Sequence, residues 1–326
     1  MSEEKNTFLS VKDLAVEYSS GGRIIHAVNG VSFELDKGET LGLVGETGAG
    51  KTSIAKAILR VLPDPPARIP KGEIVLEGQD VMRLSEKEML TIRGNRVAMI
   101  FQDPMTALNP VKTIGSQIAE GIILHNNVSK LEAKEKAIEM LEMVGITKER
   151  YDEYPFQFSG GMKQRVVIAM ALACNPALLL ADEPTTALDV TIQAQVLDMI
   201  SDLKKRLGTS MILITHDLGI VAEMCDHVAI VYAGDIVEYG TKREIFKNPT
   251  HPYTIGLFRS LPNMVVDEPR LHPIEGLPPD PSDLPAGCAF APRCKHATER
   301  CRAEKPTQVA ISDSHYCKCF MMQEDK

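Results

Sequence analysis

The stretch that decides the fold is Thr40-Leu41-Gly42-Leu43-Val44, running into Gly45-Glu46-Thr47-Gly48-Ala49-Gly50-Lys51-Thr52. Its second part fits the phosphate-loop pattern of Gly, four residues, Gly-Lys-Ser/Thr. The glycines let consecutive backbone N–H groups turn inward around a phosphate without Cβ clashes. Lys51 reaches the terminal phosphates, Thr52 offers a hydroxyl to Mg2+, and Ser53 follows it. Residues 40–44 are apolar enough for a buried strand, and residues 52–62 can form the helix whose positive N-terminal end faces the anion. An ordinary glycine-rich turn is the plain alternative, and it gives no reason for strand, loop and helix to come in this order.

The 326 residues can bury one large core or two smaller ones, and 44% hydrophobic with 25% charged residues is ordinary for a globular protein. A net charge of -8 argues against nucleic-acid binding, a local basic groove aside. Residues 1–6 are polar and charged and do not read as a secretory signal. The longest apolar stretch, residues 166–181, is interrupted by Asn175-Pro176 and falls short of the roughly 18 to 20 residues of a spanning helix. The chain reads as soluble, and as a peripheral subunit if it serves a membrane.

Up to about Lys247, apolar runs alternate with amphipathic patterns, as a predominantly parallel sheet flanked by helices requires. Residues 85–93 read as helix, and Ser129-Lys130-Leu131-Glu132 has capping-box spacing at the start of another reaching about Val144. A helical insertion is therefore expected over about residues 84–173. Residues 262–285 are proline-rich and read as a linker or extended wrap.

Leu178-Leu179-Leu180-Ala181-Asp182 is a short apolar run ending in a carboxylate, which suits a buried strand delivering Asp182 to a metal. Glu183 follows, and the alternation of a strand would send the two side chains to opposite faces. One carboxylate would hold Mg2+ while the other polarises the attacking water from the strand's end. Two carboxylates capping a loop before Pro184 is the alternative. Between this run and the phosphate loop lies Phe158-Ser159-Gly160-Gly161-Met162-Lys163-Gln164-Arg165, where Ser-Gly-Gly opens a helix-like run. That is a second anion-binding helix N-terminus, or simply a turn and cap. One bound nucleotide needs one cradle, so the second serves a nucleotide held by another copy or a partner.

These residues resemble the ATP-binding-cassette ATPases over residues 8–250. Phe158-Ser159-Gly160-Gly161-Met162 is similar to the family signature Leu-Ser-Gly-Gly-Gln; Phe158 and Met162 depart from it in the manner of peptide-importer branches. Gln102 in Ile100-Phe101-Gln102-Asp103-Pro104 resembles the Q-loop glutamine. Thr186-Ala187-Leu188-Asp189 resembles the D-loop, His216 in Ile214-Thr215-His216-Asp217 the switch histidine, and Tyr18 the aromatic that stacks on adenine. The resemblance implies an α/β P-loop NTPase fold: a nucleotide-binding domain over residues 1–247 with a mixed sheet and helical subdomain, and a small, irregular, cysteine-rich extension over residues 248–326. It implies ATP sandwiched between one subunit's phosphate loop and the signature of another. Lys51 and Mg2+ would offset charge, with Thr52, Gln102 and Asp182 about the metal. Glu183 would act on water and His216 on the γ-phosphate.

Asn248-Pro249-Thr250-His251-Pro252-Tyr253-Thr254 resembles the segment opening the C-terminal extension of dipeptide and oligopeptide importer ATPases, with nickel importers close relatives. The partners so implied are a second ATPase subunit, identical or sister, two permease subunits and an extracytoplasmic binding protein, at the cytoplasmic face of the membrane. Cys288, Cys294, Cys301, Cys317 and Cys319 crowd the last forty residues. Zinc prefers closer pairs, a [4Fe-4S] cluster tolerates wide gaps, and free thiols packing a small lobe remain an alternative. The resemblance implies a cluster on Cys288, Cys294, Cys301 and Cys319, since the family's last cysteine follows a histidine by four residues, as Cys319 follows His315. Two other classes stay open, a soluble cassette ATPase unconnected with transport and a regulatory subunit that binds ATP without splitting it.

Overall fold

The computed structural model describes residues 7–186, 188–260 and 273–323. Strands β1 (Thr7–Ser20) and β2 (Arg23–Asp36) lead to β3 (Thr40–Val44), buried at every position. Fully burying one Leu or Val side chain contributes about 1.5–3 kcal/mol, so this short strand is a strong anchor for the loop that follows. Helix α1 (Lys51–Ile58) is shorter than the expected 52–62, because Arg60 takes a left-handed φ of 51° that stops the spiral. Then come β4 (Ala67–Leu76), β5 (Gln79–Asp80), α2 (Glu86–Ile92), β6 (Val97–Ile100) and α3 (Pro104–Ala107). Helices α4 (Ile114–His125), α5 (Lys130–Met143) and α6 (Gly160–Leu172) precede β7 (Leu178–Asp182), α7 (Val190–Leu207) and β8 (Ser210–Thr215). The chain continues through α8 (Leu218–Met224), β9 (His227–Tyr232), β10 (Asp235–Thr241), α9 (Lys242–Lys247) and α10 (Pro252–Arg259). It ends on α11 (Glu299–Ala303), β11 (Val309–Ala310) and β12 (Tyr316–Cys317).

Two compact units result. The first comprises Met1–Leu9, Leu35–Thr40 and Leu76–Ile214. In it β6, β7 and β8 run parallel, with Val97 opposite Leu178 and Asp182 opposite Ile214. Strand β6 falls inside the stretch expected to be helical; Val-Ala-Met-Ile is too short to show a period, and only its pairing with β7 defines it. Ser85 and Glu88 form the full capping box of α2, whereas Ser129 accepts only the Glu132 N–H, at 3.2 Å, so half the expected box forms on α5. Helix α4 packs on α5 and α6, and the Tyr151 and Glu153 carbonyls accept the Gly115 and Ile114 amides at 2.9 and 2.8 Å. That docking lays the Tyr151 ring against Gly115.

The second unit comprises Ser10–Glu34, Leu41–Val75 and Thr215–Lys326. Strands β2, β1 and β4 lie side by side, and β3 pairs parallel with β9, Leu41 opposite His227. Strand β10 runs antiparallel to β9, and β12 antiparallel to β10 and β11. Within the extension expected to be irregular, two short strands, β11 and β12, continue a sheet and bury Cys317 within it. Of the proline-rich stretch, residues 262–272 lie outside the described residues; Pro281 accepts the His26 N–H through its carbonyl at 2.8 Å.

A Cβ added at Gly115 would lie 2.1 Å from the Tyr151 ring. Gly115→Ala is therefore expected to destabilise the chain by about 1–3 kcal/mol through overpacking, read as a lower denaturant midpoint. An unchanged midpoint would mean that the ring moves aside at no cost.

Candidate active site

The phosphate loop leaves the end of β3 between walls of backbone. A Cβ on Gly45 would sit 2.1 Å from the Val231 carbonyl oxygen, and one on Gly50, at φ 100°, 2.2 Å from that of Ala27. Neither position admits any other residue. The Ala49 carbonyl accepts the Gly234 N–H at 3.0 Å, which ties the loop to the turn between β9 and β10. Lys51 opens α1 and is buried, its Nζ donating to the Gly45 and Glu46 carbonyls at 2.7 and 2.9 Å. The Tyr18 hydroxyl and Ser53 Oγ share a hydrogen bond of 3.0 Å, joining the expected adenine platform to the helix of Thr52. His216 is exposed just beyond β8, and Asp217 caps α8 through the Gly219 and Ile220 amides.

The carboxylates are found in the first unit. Asp182 ends β7 and is 3% exposed. Glu183 does not continue the strand. It adopts a left-handed φ of 47° and donates its N–H to the Ile214 carbonyl at 2.9 Å. The two side chains are thus separated by a backbone reversal rather than by strand alternation. Glu183 Oε2 accepts from Gln102 Nε2 at 2.9 Å and from Thr186 Oγ1 at 2.8 Å, so two of the predicted residues meet and Thr186 joins them. The buried Gln164 side chain, on the signature helix, donates to the Pro184 carbonyl and steadies the same turn.

Ser159 caps α6, accepting the Met162 N–H at 3.4 Å. A Cβ on Gly160 would meet open space, while one on Gly161 would lie 2.8 Å from Ile192 Cγ2, so packing on α7 alone requires the second glycine. Arg150 ties together the two departures from the signature, its guanidinium 4.1 Å above the Phe158 ring and its Nη1 3.2 Å from Met162 Sδ. Nothing in the local sequence singles out Arg150, eight positions before the signature begins at Phe158. Asp189 caps α7 through the Ile192 N–H at 3.0 Å; Ala187 of the same motif lies outside the described residues.

In the C-terminal region, Cys288, Cys294, Cys301 and Cys319 line one small cavity with His251 and Phe290, while Cys317 is buried in β12 and is not among its lining residues. Burial raises the thiol pKa of Cys319 to about 11 and also raises those of Cys288 and Cys294. Among the described residues, no three His, Cys, Asp or Glu side chains form a ready-made site for a metal ion. The cysteine group is therefore not a preformed centre for either zinc or a cluster. Beside it, Glu238 is wholly buried and accepts from the Thr250 and His251 amides at 2.7 and 3.0 Å and from His315 Nε2 at 2.8 Å. Burial pushes its carboxyl up, but these hydrogen bonds together hold it below the usual carboxylate range.

Strand, phosphate loop, helix and a second strand ending in a carboxylate define a class, the P-loop NTPases. A family model described as ABC transporter matches residues 28–186, and one described as oligopeptide/dipeptide transporter, C-terminal region, matches residues 237–301. The oligopeptide transport ATP-binding protein OppD of Bacillus subtilis (strain 168) is 52% identical, covering 97% of this chain and 89% of its own length. The dipeptide transport ATP-binding protein DppD of the same organism is 48% identical over 97% of this chain and 95% of its own. A solved dimeric structure of the ATP-binding cassette MJ0796 bound to ADP and Pi is similar with a TM-score of 0.65 at 26% identity, covering 72% of this chain and 99% of that one. The chain belongs to the ATP-binding subunits of the oligopeptide/dipeptide ABC transporter family and is an ATPase of that type. Among the described residues no helix is long and apolar enough to cross a membrane.

Burial lowers the His251 pKa from 6.5 to about 4, against the pull of Glu238. The neutral ring, whose Nδ1 accepts the Tyr253 N–H at 3.0 Å, is therefore the folded form. Below pH 6.5 the unfolded chain takes up a proton that the folded chain refuses, so stability falls by about 3 kcal/mol as pH drops from 6.5 to 4. In His251→Asn, whose amide oxygen can accept the same N–H, the thermal midpoint should vary less across that window. An unchanged slope would exclude His251 as its source.

Proposed function

We propose that this chain is the energy-coupling ATPase of an importer for dipeptides or oligopeptides. The observation that carries this reading is relationship to OppD and DppD over 97% of this chain, together with the family's C-terminal region over residues 237–301. Its partners are a second ATPase subunit, itself or a sister chain, two permeases and an extracytoplasmic binding protein. It works peripherally at the cytoplasmic membrane face. Residues 1–247 form the nucleotide-binding domain, with a helical subdomain over about residues 84–173, and residues 248–326 form the extension.

In the reaction, the loop of Gly45, Glu46, Thr47, Gly48, Ala49 and Gly50 offers backbone to the phosphates of ATP, and Tyr18 stacks on the base. Lys51 moves its ammonium from loop carbonyls to the terminal phosphates, where negative charge gathers. Mg2+ takes oxygen ligands, and the Thr52 hydroxyl, Gln102 amide oxygen and Asp182 carboxylate are the donors that suit it. A bound Mg2+ would supply positive charge to offset that of the phosphates. Glu183, aimed by Gln102 and Thr186, accepts the proton of a water that bonds to the γ-phosphorus as the bridging bond to ADP breaks. His216 holds the γ-phosphate oxygens. Ser159, Gly160 and Gly161 contact the nucleotide of the opposing subunit, with Asp189 at the same seam, so ATP closes the pair and its hydrolysis reopens it.

We also propose a [4Fe-4S] cluster on Cys288, Cys294, Cys301 and Cys319, the four cysteines that line one cavity. A cluster is larger than one ion, so its thiolates stand around a cavity rather than converging on a point. Such a cluster would cross-link the extension, and Cys317 is left to the sheet.

Glu183→Gln is expected to lower ATP hydrolysis by the permease-assembled protein at least about 10²-fold while ATP still binds. Equal hydrolysis by the variant and the parent would exclude Glu183 as the base. Anaerobically purified protein should contain iron and sulfide with a matching visible absorption. Finding neither would remove the cluster.

A further inference from the structure

Glu46 is the one acidic residue inside the phosphate loop, a carboxylate in the segment that the proposed function assigns to a triphosphate. Like charges at close range disfavour each other, so an uncompensated Glu46 would oppose the ligand that the loop exists to hold. The compensation comes from far along the chain. Arg293 Nη1 and Nη2 reach the two Glu46 carboxylate oxygens at 2.7 and 3.0 Å, the bidentate geometry in which guanidinium and carboxylate attract most strongly. The Arg293 side chain is 4% exposed and that of Glu46 29%, so the pair is partly shielded from solvent.

The arginine is itself held. Nε donates to the Glu275 carbonyl at 3.1 Å, Nη2 to that of Ile274 at 3.3 Å and Nη1 to the Tyr232 hydroxyl at 3.4 Å. A second tie reaches the same loop residue, because the Glu46 N–H donates to the fully buried Tyr253 hydroxyl at 3.0 Å. Tyr253 packs on Tyr232 and Phe290 with ring centroids 4.5 and 5.5 Å apart. Three separate C-terminal stretches, around residues 253, 274 and 293, thus converge on a single position of the phosphate loop.

We propose that Arg293 is a positioning residue for ATP binding. It neutralises Glu46, fixes the N-terminal half of the phosphate loop, and makes nucleotide affinity depend on the C-terminal region. This rests on the reading of the Lys51 loop as the ATP site. The pair touches the loop and not Glu183, so its removal weakens ground-state binding and leaves the chemical step, which belongs to Glu183, little changed.

The test is equilibrium binding of Mg-ATP to the full chain together with steady-state ATPase kinetics, for Arg293→Gln, Glu46→Gln, their combination, Arg293→Lys and Lys51→Ala. Arg293→Gln should weaken ATP binding roughly tenfold and raise KM in parallel with kcat nearly constant, and Arg293→Lys should recover part of the loss. In the Glu46→Gln background the same Arg293→Gln change should have little effect, because no carboxylate is left to neutralise. Unchanged affinity in Arg293→Gln would overturn the proposal. So would an equal loss with and without Glu46, which marks simple disruption of the C-terminal region. Lys51→Ala separates the two readings: undiminished ATP binding by that variant would refute the nucleotide site itself, whereas a loss there with Arg293→Gln unaffected refutes only the role of Arg293.

Discussion

The rest of this molecule is arranged around the close approach of bare backbone at the phosphate loop. Gly45 and Gly50 leave no room for a Cβ, and in both places the obstructing atom is a carbonyl oxygen of another segment. The pattern Gly-x4-Gly-Lys-Thr therefore answers two demands at once, turning amides toward an anion and threading the turn past the backbones of residues 27 and 231. A relay of backbone hydrogen bonds, Asn29 to Gly234 at 2.7 Å and Gly234 to Ala49 at 3.0 Å, holds that passage open from outside the loop.

What was legible in the sequence was what obeys a local rule. Strands β3 and β7 end where their apolar runs end, residues 86–92 form the helix read there, and Ser159 opens the helix that follows it. The phosphate loop and the carboxylate were found because their chemistry fixes residue type and spacing together. What escaped depends on partners distant in the chain. Strand β6 exists through pairing with β7, and Arg150 makes sense only where Phe158 and Met162 are seen to share it. Strand β12 likewise becomes a strand only by lying against β10, which is why the C-terminal region read as irregular.

Glu183 shows how a local rule misleads. Alternation in a strand seemed to divide it from Asp182, yet the chain has already left the strand, and a left-handed backbone does the dividing. For a residue other than glycine that conformation is strained by roughly 1–3 kcal/mol, and it persists because the Ile214 carbonyl, Gln102 and Thr186 all hold the glutamate. The strain aims a single carboxylate while its neighbour stays buried at the strand's end.

The ammonium of Lys51, held on the carbonyls of Gly45 and Glu46, ties the start of a helix back to the first turn of the loop before it. Curvature and cation are therefore set together: a substitution that deletes the charge also deletes a brace, and a basic side chain of another length would misplace both.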